Sequence, residues 1–370
     1  MNSDTLPVQT ISPSALLERL AGGTPTALLD VREEGAAISD VGVTRVPAAS
    51  ALARAPELAR SLPDGVVVVC NRGVSARAVA ATLRREGNPA VVLEGGMRGW
   101  IGALRGVSVD IGLPGLAVEQ VQRPGRGCLS YLLSAGRDAL VIDPAPDPDW
   151  YLERATALGT RIVGVFDTHL HADHLSGARA LARAAEAPLL LPRATLERGV
   201  AADRRIVPLD DGDTLTLGGV ELTVLALPGH TTDMTGLLLG DAALVGGDSL
   251  FADGIARPDL QRGDPDGARA MARQLHATLH ERILSRGDEL RLLPGHSHPG
   301  IPAGPIAPTL AEVRAQVPEL ALADPDAFAD ELLRAMPPRP ANYEAVIAAN
   351  AGERDADPEL EQGGNACATR

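Results

Sequence analysis

The chain has 370 residues, ample for two domains and a sizeable core. Its net charge of −14 lacks the basic footprint of a polyanion binder, which speaks against nucleic acid as a partner. At 45% hydrophobic residues with mean hydropathy near zero it reads as globular, and no apolar run approaches the roughly eighteen residues needed to span a bilayer. The start, Met1-Asn2-Ser3-Asp4, shows no basic-then-apolar signal pattern. Cys70, Cys128 and Cys367 lie too far apart in sequence to suggest a disulfide framework, so a reducing, cytoplasmic setting is expected.

Residues from about 8 to 105 alternate helical and strand patterns. Ser12 or Ser14 can cap a helix through Leu20, Ala27–Val31 reads as a short strand, and the fully apolar Val66–Val69 as a second. That strand ends at Cys70. The tight loop Cys70-Asn71-Arg72-Gly73-Val74-Ser75-Ala76 precedes a helical stripe of Val79, Ala80 and Leu83, stopped by Gly87. A thiol there faces backbone N–H groups and a helix N-terminus. Both favour the thiolate, as a nucleophilic or sulfur-carrying cysteine requires; a buried, inert cysteine is the alternative on local sequence.

Asp30-Val31-Arg32, the Cys70 loop, and Leu93-Glu94-Gly95-Gly96 followed by Trp100 together resemble the rhodanese family of sulfurtransferases. The resemblance covers about the first hundred residues and implies that Cys70 carries a persulfide. Ser75 and Ala76 stand where the family has Arg then Ser, and the family's His-Ile-Pro-Gly-Ala stretch is degraded around Ile38 to Ala48. The unit is therefore either an active transferase, with Arg72 or Arg77 supplying the missing charge, or a silent docking module.

Gly106, Gly112, Pro114 and Gly115 suggest a junction, beyond which short strands dominate. Strands are expected at 129–134, 139–142, 161–166, 188–191, 220–227, 235–239, 242–245 and 289–293. Helices are expected at 150–158, 177–187, 267–285 and 325–336, the last capped by Asp324 ahead of Pro325. The polar, Gly-rich end is expected to be disordered. The domain boundaries read as 1–108, 109–350 and a tail at 351–370.

All eight histidines lie between His169 and His298. The strand Ile162 to Phe166 runs into Asp167-Thr168-His169-Leu170-His171-Ala172-Asp173-His174, and a loop there can fold His169, His171, Asp173 and His174 around one point. Pro228-Gly229-His230-Thr231, Gly246-Gly247-Asp248-Ser249 and Pro294-Gly295-His296 each place a further ligand just past an apolar strand. His276 and His280 sit four apart inside an expected helix without a following Glu, and read as ordinary helix-face residues.

This order of ligands resembles the metallo-β-lactamase superfamily, which implies an αββα sandwich. The overall expectation is thus an α/β chain, a rhodanese-like domain followed by that sandwich. Ala256-Arg257-Pro258-Asp259-Leu260, together with Pro337-Pro338-Arg339-Pro340, Asn342-Tyr343-Glu344 and Asn350, is similar to the persulfide dioxygenase branch over roughly residues 115 to 350. That resemblance implies one Fe(II) per chain on His169, His230 and Asp248, a facial triad with positions left for O₂ and a substrate sulfur. His171, Asp173, His174 and His296 would then orient ligands or handle protons, with Arg257, Asp259 and His298 near the substrate. The same residues also permit a glyoxalase II-like thioester hydrolase with two Zn ions. His169, His171 and His230 would hold one, Asp173, His174 and His296 the other, with Asp248 bridging.

The expected substrates are O₂ and a low-molecular-weight thiol persulfide, oxidised to sulfite and free thiol; self-association stays open. By the same resemblance, relatives using glutathione persulfide carry Tyr and Arg at the places of His298 and Glu319 in this chain. The exchange of Arg for Glu removes a carboxylate-binding fork and points to another thiol or an inorganic sulfane donor.

Overall fold

The structure, a computed structural model, describes residues 8–35, 38, 42–298, 300–334 and 336–361. Cys367, the end of the polar tail (362–370) and part of the divergent 38–48 stretch lie outside these residues. The chain divides into two compact units. One comprises Met1–Arg105, Arg123–Arg126 and Pro299–Ala303; the other comprises Gly106–Gln122, Gly127–His298 and Gly304–Arg370.

The first unit is built on a parallel sheet of β1 (Thr10–Ile11), β2 (Leu28–Asp30), β3 (Val43–Arg45), β4 (Val67–Val69) and β5 (Val91–Leu93), in the order β1-β5-β4-β2-β3. The unbroken valine run is explained by burial on both faces. Val66 and Val68 pack with Val79, Ala80 and Leu83, whereas Val67 and Val69 pack with Leu16, Leu17 and Trp100. Helix Pro13–Ala21 is capped by Ser12, whose hydroxyl accepts the Ala15 N–H at 3.2 Å. The strands β1, β3 and β5 were not expected, because two or three residues are too few to show a period.

The second unit holds two sheets. The seven-stranded sheet comprises β6 (Arg105–Val109), β7 (Ala117–Arg123), β8 (Cys128–Ala135), β9 (Asp138–Ile142), β10 (Arg161–Phe166), β11 (Leu189–Pro192) and β12 (Ile206–Leu209). The five-stranded sheet comprises β13 (Thr214–Leu217), β14 (Val220–Ala226), β15 (Thr235–Leu239), β16 (Ala243–Gly247) and β17 (Arg291–Pro294). Tyr131, Leu133, Leu140, Ile142 and Phe166 from the first meet Leu222, Val224, Leu237, Val245 and Leu293 from the second in one core. Helices Pro148–Ala157 and Ala178–Ala184 cover the first sheet at β10, while Leu275, Val313 and Phe328 pack under the second. The architecture is an αββα sandwich.

Three departures matter for the site. The stretch expected as a junction contains β6: a Cβ on Gly106 would lie 1.7 Å from Glu119 Oε1, so glycine there serves packing rather than a hinge. The expected helix 267–285 is α-helical over Pro265–Ala277 and then widens into a π turn, Thr278–Ile283, from which Thr278 Oγ1 donates to the Pro228 carbonyl at 2.5 Å. The expected disordered tail is ordered over its first part. Helix Tyr343–Ala351 reaches position 351 and a 3₁₀ turn follows at Pro358–Glu361, because Leu360 packs on the cluster of Leu175, Val346 and Ala349.

Candidate metal centre and thiol loop

His169 leaves the end of β10, His230 follows β14 and Asp248 follows β16. Three strand ends thus bring together residues separated by up to 79 positions, and one ligand atom from each lies within 4.8 Å of the others. Asp248 Oδ2 stands 4.0 Å from His169 Nε2 and 3.9 Å from His230 Nε2. All three atoms are buried and none has a hydrogen-bond partner. Bare buried lone pairs of this kind are costly unless something electropositive sits among them. The donor set, two imidazoles and one carboxylate, fits a divalent transition metal.

The opposite atom of each residue is tied down. His230 Nδ1 donates to the Arg257 carbonyl at 2.7 Å, which assigns the proton to Nδ1 and leaves Nε2 a lone pair. Thr168 Oγ1 gives its hydrogen to Asp143 Oδ2 at 2.9 Å, so His169 Nδ1, 2.9 Å from that oxygen, is the donor to it. Asp248 Oδ1 lies 2.7 Å from His296 Nδ1. Burial, reinforced by neighbouring imidazoles, holds His169 well below the usual imidazole range. Burial also lowers His230, against the pull of Asp248. Both rings therefore stand neutral, the form in which imidazole ligates a metal.

The remaining ligands of the loop are engaged elsewhere. His171 Nε2 contacts Asp143 Oδ1 at 3.2 Å and Asp167 Oδ1 at 3.8 Å, although its Nδ1 is also buried without a partner. Asp173 lies 3.0 Å from His174 Nδ1 and 2.9 Å from His296 Nε2, the latter an ion-pair contact without hydrogen-bond geometry. Cys128 joins Asp173, His174 and His296 in a second buried cluster, its backbone bridged to His296. His276 Nε2 donates to the Leu322 carbonyl at 2.9 Å, and neither it nor His280 enters any ligand cluster among the described residues.

Arg257 and Asp259, which the resemblance puts near the substrate, are bound to each other. Arg257 is fully buried, forks onto Asp259 at 2.7 and 3.0 Å, and donates to the Pro337 carbonyl at 2.8 Å. Arg339 adds a bond to Asp259 at 3.0 Å. Its guanidinium is bound by protein groups, and the Arg257 carbonyl holds His230. Asp259→Asn should lower metal affinity about 10–100-fold, as losses of such outer partners do; chelator competition giving the wild-type value would refute this. His298 is exposed and pairs with Asp253 at 2.8 Å.

Glycine is obligatory beside the ligands. A Cβ on Gly295 would lie 2.5 Å from Asp248 Oδ1, and one on Gly229, at φ +152°, 2.5 Å from Leu275 Cα. Gly295→Ala should therefore displace the carboxylate and cut bound metal at least about tenfold, read by metal analysis of the purified protein. Undiminished metal would show that the loop yields.

In the first unit, Cys70 Sγ accepts the Gly73 N–H at 3.1 Å and the Ala76 N–H at 3.4 Å. Burial opposes the thiolate, but the Ser75 hydroxyl and these amides prevail and set the thiol below its ordinary value. Gly96, at φ +59°, is required because a Cβ there would lie 2.1 Å from the Cys70 carbonyl oxygen. Arg72 and Arg77 are both exposed.

Several supporting residues escaped sequence reasoning. Asp143, in the left-handed region at φ 49°, accepts from Thr168 N and Oγ1 and contacts His171. Asp233 accepts the Leu170 N–H at 2.9 Å and pairs with Arg198. Asp143 follows directly on β9, the one hint the sequence held, whereas Asp233 sits in the loop ahead of β15.

Fold and site together define a metallo-β-lactamase sandwich with a histidine-rich centre at its strand ends. The Metallo-beta-lactamase superfamily profile matches residues 123–298 and the Rhodanese-like domain profile residues 12–103. The chain belongs to the metallo-β-lactamase superfamily and carries a rhodanese-like domain ahead of that fold. Among its relatives, persulfide dioxygenase ETHE1 of Homo sapiens is 28% identical over 250 residues, covering 64% of this chain and 87% of that protein. A hydroxyacylglutathione hydrolase of Acidiphilium cryptum is 33% identical over 169 residues, covering 46% and 64%. The crystal structure of ETHE1 from Myxococcus xanthus superposes with a TM-score of 0.55 at 29% identity, covering 63% of this chain and 97% of that one.

Proposed function

We propose that the second unit is a non-haem Fe(II) persulfide dioxygenase and the first a sulfurtransferase that exchanges sulfane sulfur with its substrate pool. The observation that carries this is the set of bare atoms: His169 Nε2, His230 Nε2 and Asp248 Oδ2 converge without partners. The remaining set is less available, since Asp173 is shared by His174 and His296, and His296 also holds Asp248. The similarity to persulfide dioxygenases over most of their length supports the same reading.

The overall reaction is R-S-SH + O₂ + H₂O giving R-SH, sulfite and protons; the sulfane sulfur is oxidised and O₂ takes its electrons. Bound Fe(II) would supply the redox capacity that ground-state O₂ needs and zinc lacks. The protein's part is positional. Thr168 and the Arg257 carbonyl hold two neutral rings with Nε2 inward, and His296 fixes the carboxylate. Cys70 would accept sulfane sulfur as a persulfide, stabilised as an anion by the Gly73 and Ala76 amides, and pass it to a small thiol. Joining both activities in one chain raises the local concentration of that intermediate.

A second reading, the dinuclear thioester hydrolase, is favoured by one observation. His171 Nδ1 is also bare, and its ring lies 4.1 Å from that of His169. Metal analysis of protein from cells supplied with both iron and zinc separates the two. One iron per chain supports the dioxygenase; two zinc ions per chain would overturn it. A panel of thiol persulfides would then identify the carrier.

A further inference from the structure

The ligand loop between β10 and helix Ala178–Ala184 has no regular secondary structure, so its amides and carbonyls need partners from elsewhere. The C-terminal segment supplies them. Asn350 Nδ2 donates to the carbonyls of His171 at 3.0 Å and His174 at 2.8 Å, and its Oδ1 accepts the Ser176 N–H at 2.9 Å. Glu361 Oε1 accepts the Leu175 N–H at 3.0 Å. Leu175 itself is buried against Val346 and Ala349, with Leu360 packed alongside. Arg179, on the next helix, donates to the Ala351 carbonyl at 3.2 Å and so fixes the end of helix Tyr343–Ala351.

These contacts meet four backbone groups of the ligand run in succession, His171 to Ser176. Slack there reaches the triad by two routes. One is the chain itself, through His171 to His169. The other runs from Asp173 to His296 at 2.9 Å and on to Asp248 at 2.7 Å. A residue that only filled space would not direct both its amide hydrogens and its carbonyl onto this run.

We propose that Asn350 and Glu361 are positioning residues, and that the segment Tyr343–Glu361 clamps the ligand loop in its metal-binding shape. The clamp acts on metal geometry, so it holds for either reaction above. The test uses full-length protein and cobalt(II), with affinity read by competition against a chromophoric chelator and geometry by the visible spectrum. Asn350→Ala and the isosteric Asn350→Asp, which loses both donors, should each weaken cobalt binding about 10–100-fold and alter the spectrum. Glu361→Ala should weaken it, and Glu361→Gln, whose amide oxygen still accepts the Leu175 N–H, should restore it. Thr309→Ala is the control. It removes the hydroxyl cap of helix Leu310–Gln316 in the same unit and should lower the melting temperature while leaving affinity and spectrum alone. Wild-type affinity and spectrum in the Asn350 variants would overturn the proposal, as would an equal affinity loss in Thr309→Ala. If the Asn350 variants do not fold, equal behaviour of Glu361→Ala and Glu361→Gln would overturn it.

Discussion

Asp248→Asn is expected to strip the protein of its metal and of its oxygen consumption while leaving the fold in place. The amide keeps the carboxylate's size and can still contact His296, but it lacks the charge that faces the two neutral imidazoles. The effect should exceed the about 10–100-fold cost of losing an outer partner, because a ligand atom itself is altered. Metal analysis and thermal melting on one preparation check this, and a variant that retains metal would remove Asp248 from the ligand set. His171→Ala sharpens the result. In the mononuclear account it keeps its metal, since His171 Nε2 is anchored on Asp143, whereas in the dinuclear account it loses one.

The second large effect is confined to the other unit. Cys70→Ser should abolish transfer of sulfur from thiosulfate to a thiol, because a hydroxyl cannot carry the persulfide. Oxygen uptake with preformed thiol persulfide should be unchanged. The pH dependence has a definite sign. Despite burial, Ser75 and the backbone amides stabilise the thiolate, so transfer should rise with pH through a midpoint below the free-thiol value of about 8.5. Ser75→Ala should move that midpoint upward. Transfer that survives in Cys70→Ser would point to another thiol, and a midpoint unmoved by Ser75→Ala would remove the hydroxyl from the account.

Much of the site was legible because its ligands obey a simple rule: each follows directly on an apolar strand. β10, β14, β16 and β17 end just before His169, His230, Asp248 and His296, and the switch from apolar run to ligand is visible without coordinates. The sandwich was legible for the same reason, as its longer strands show their patterns. What was not legible depends on contacts between distant backbone groups. Nothing in Ile142-Asp143-Pro144 announces a left-handed carboxylate beneath Thr168. The resemblance puts Arg257 near the substrate, and nothing in the sequence shows that Asp259 and the Pro337 carbonyl occupy its guanidinium. Glu361 sits in a stretch so polar that composition predicts disorder, yet its carboxylate meets an amide 186 positions earlier.

The most direct test of the account is the stoichiometry of the reaction. Fe(II)-loaded protein is mixed anaerobically with a thiol persulfide and then exposed to air. The account predicts oxygen consumption equal, mole for mole, to sulfite released, with none from the Asp248→Asn chain. Iron-loaded protein that consumes no oxygen but hydrolyses a thioester would contradict it.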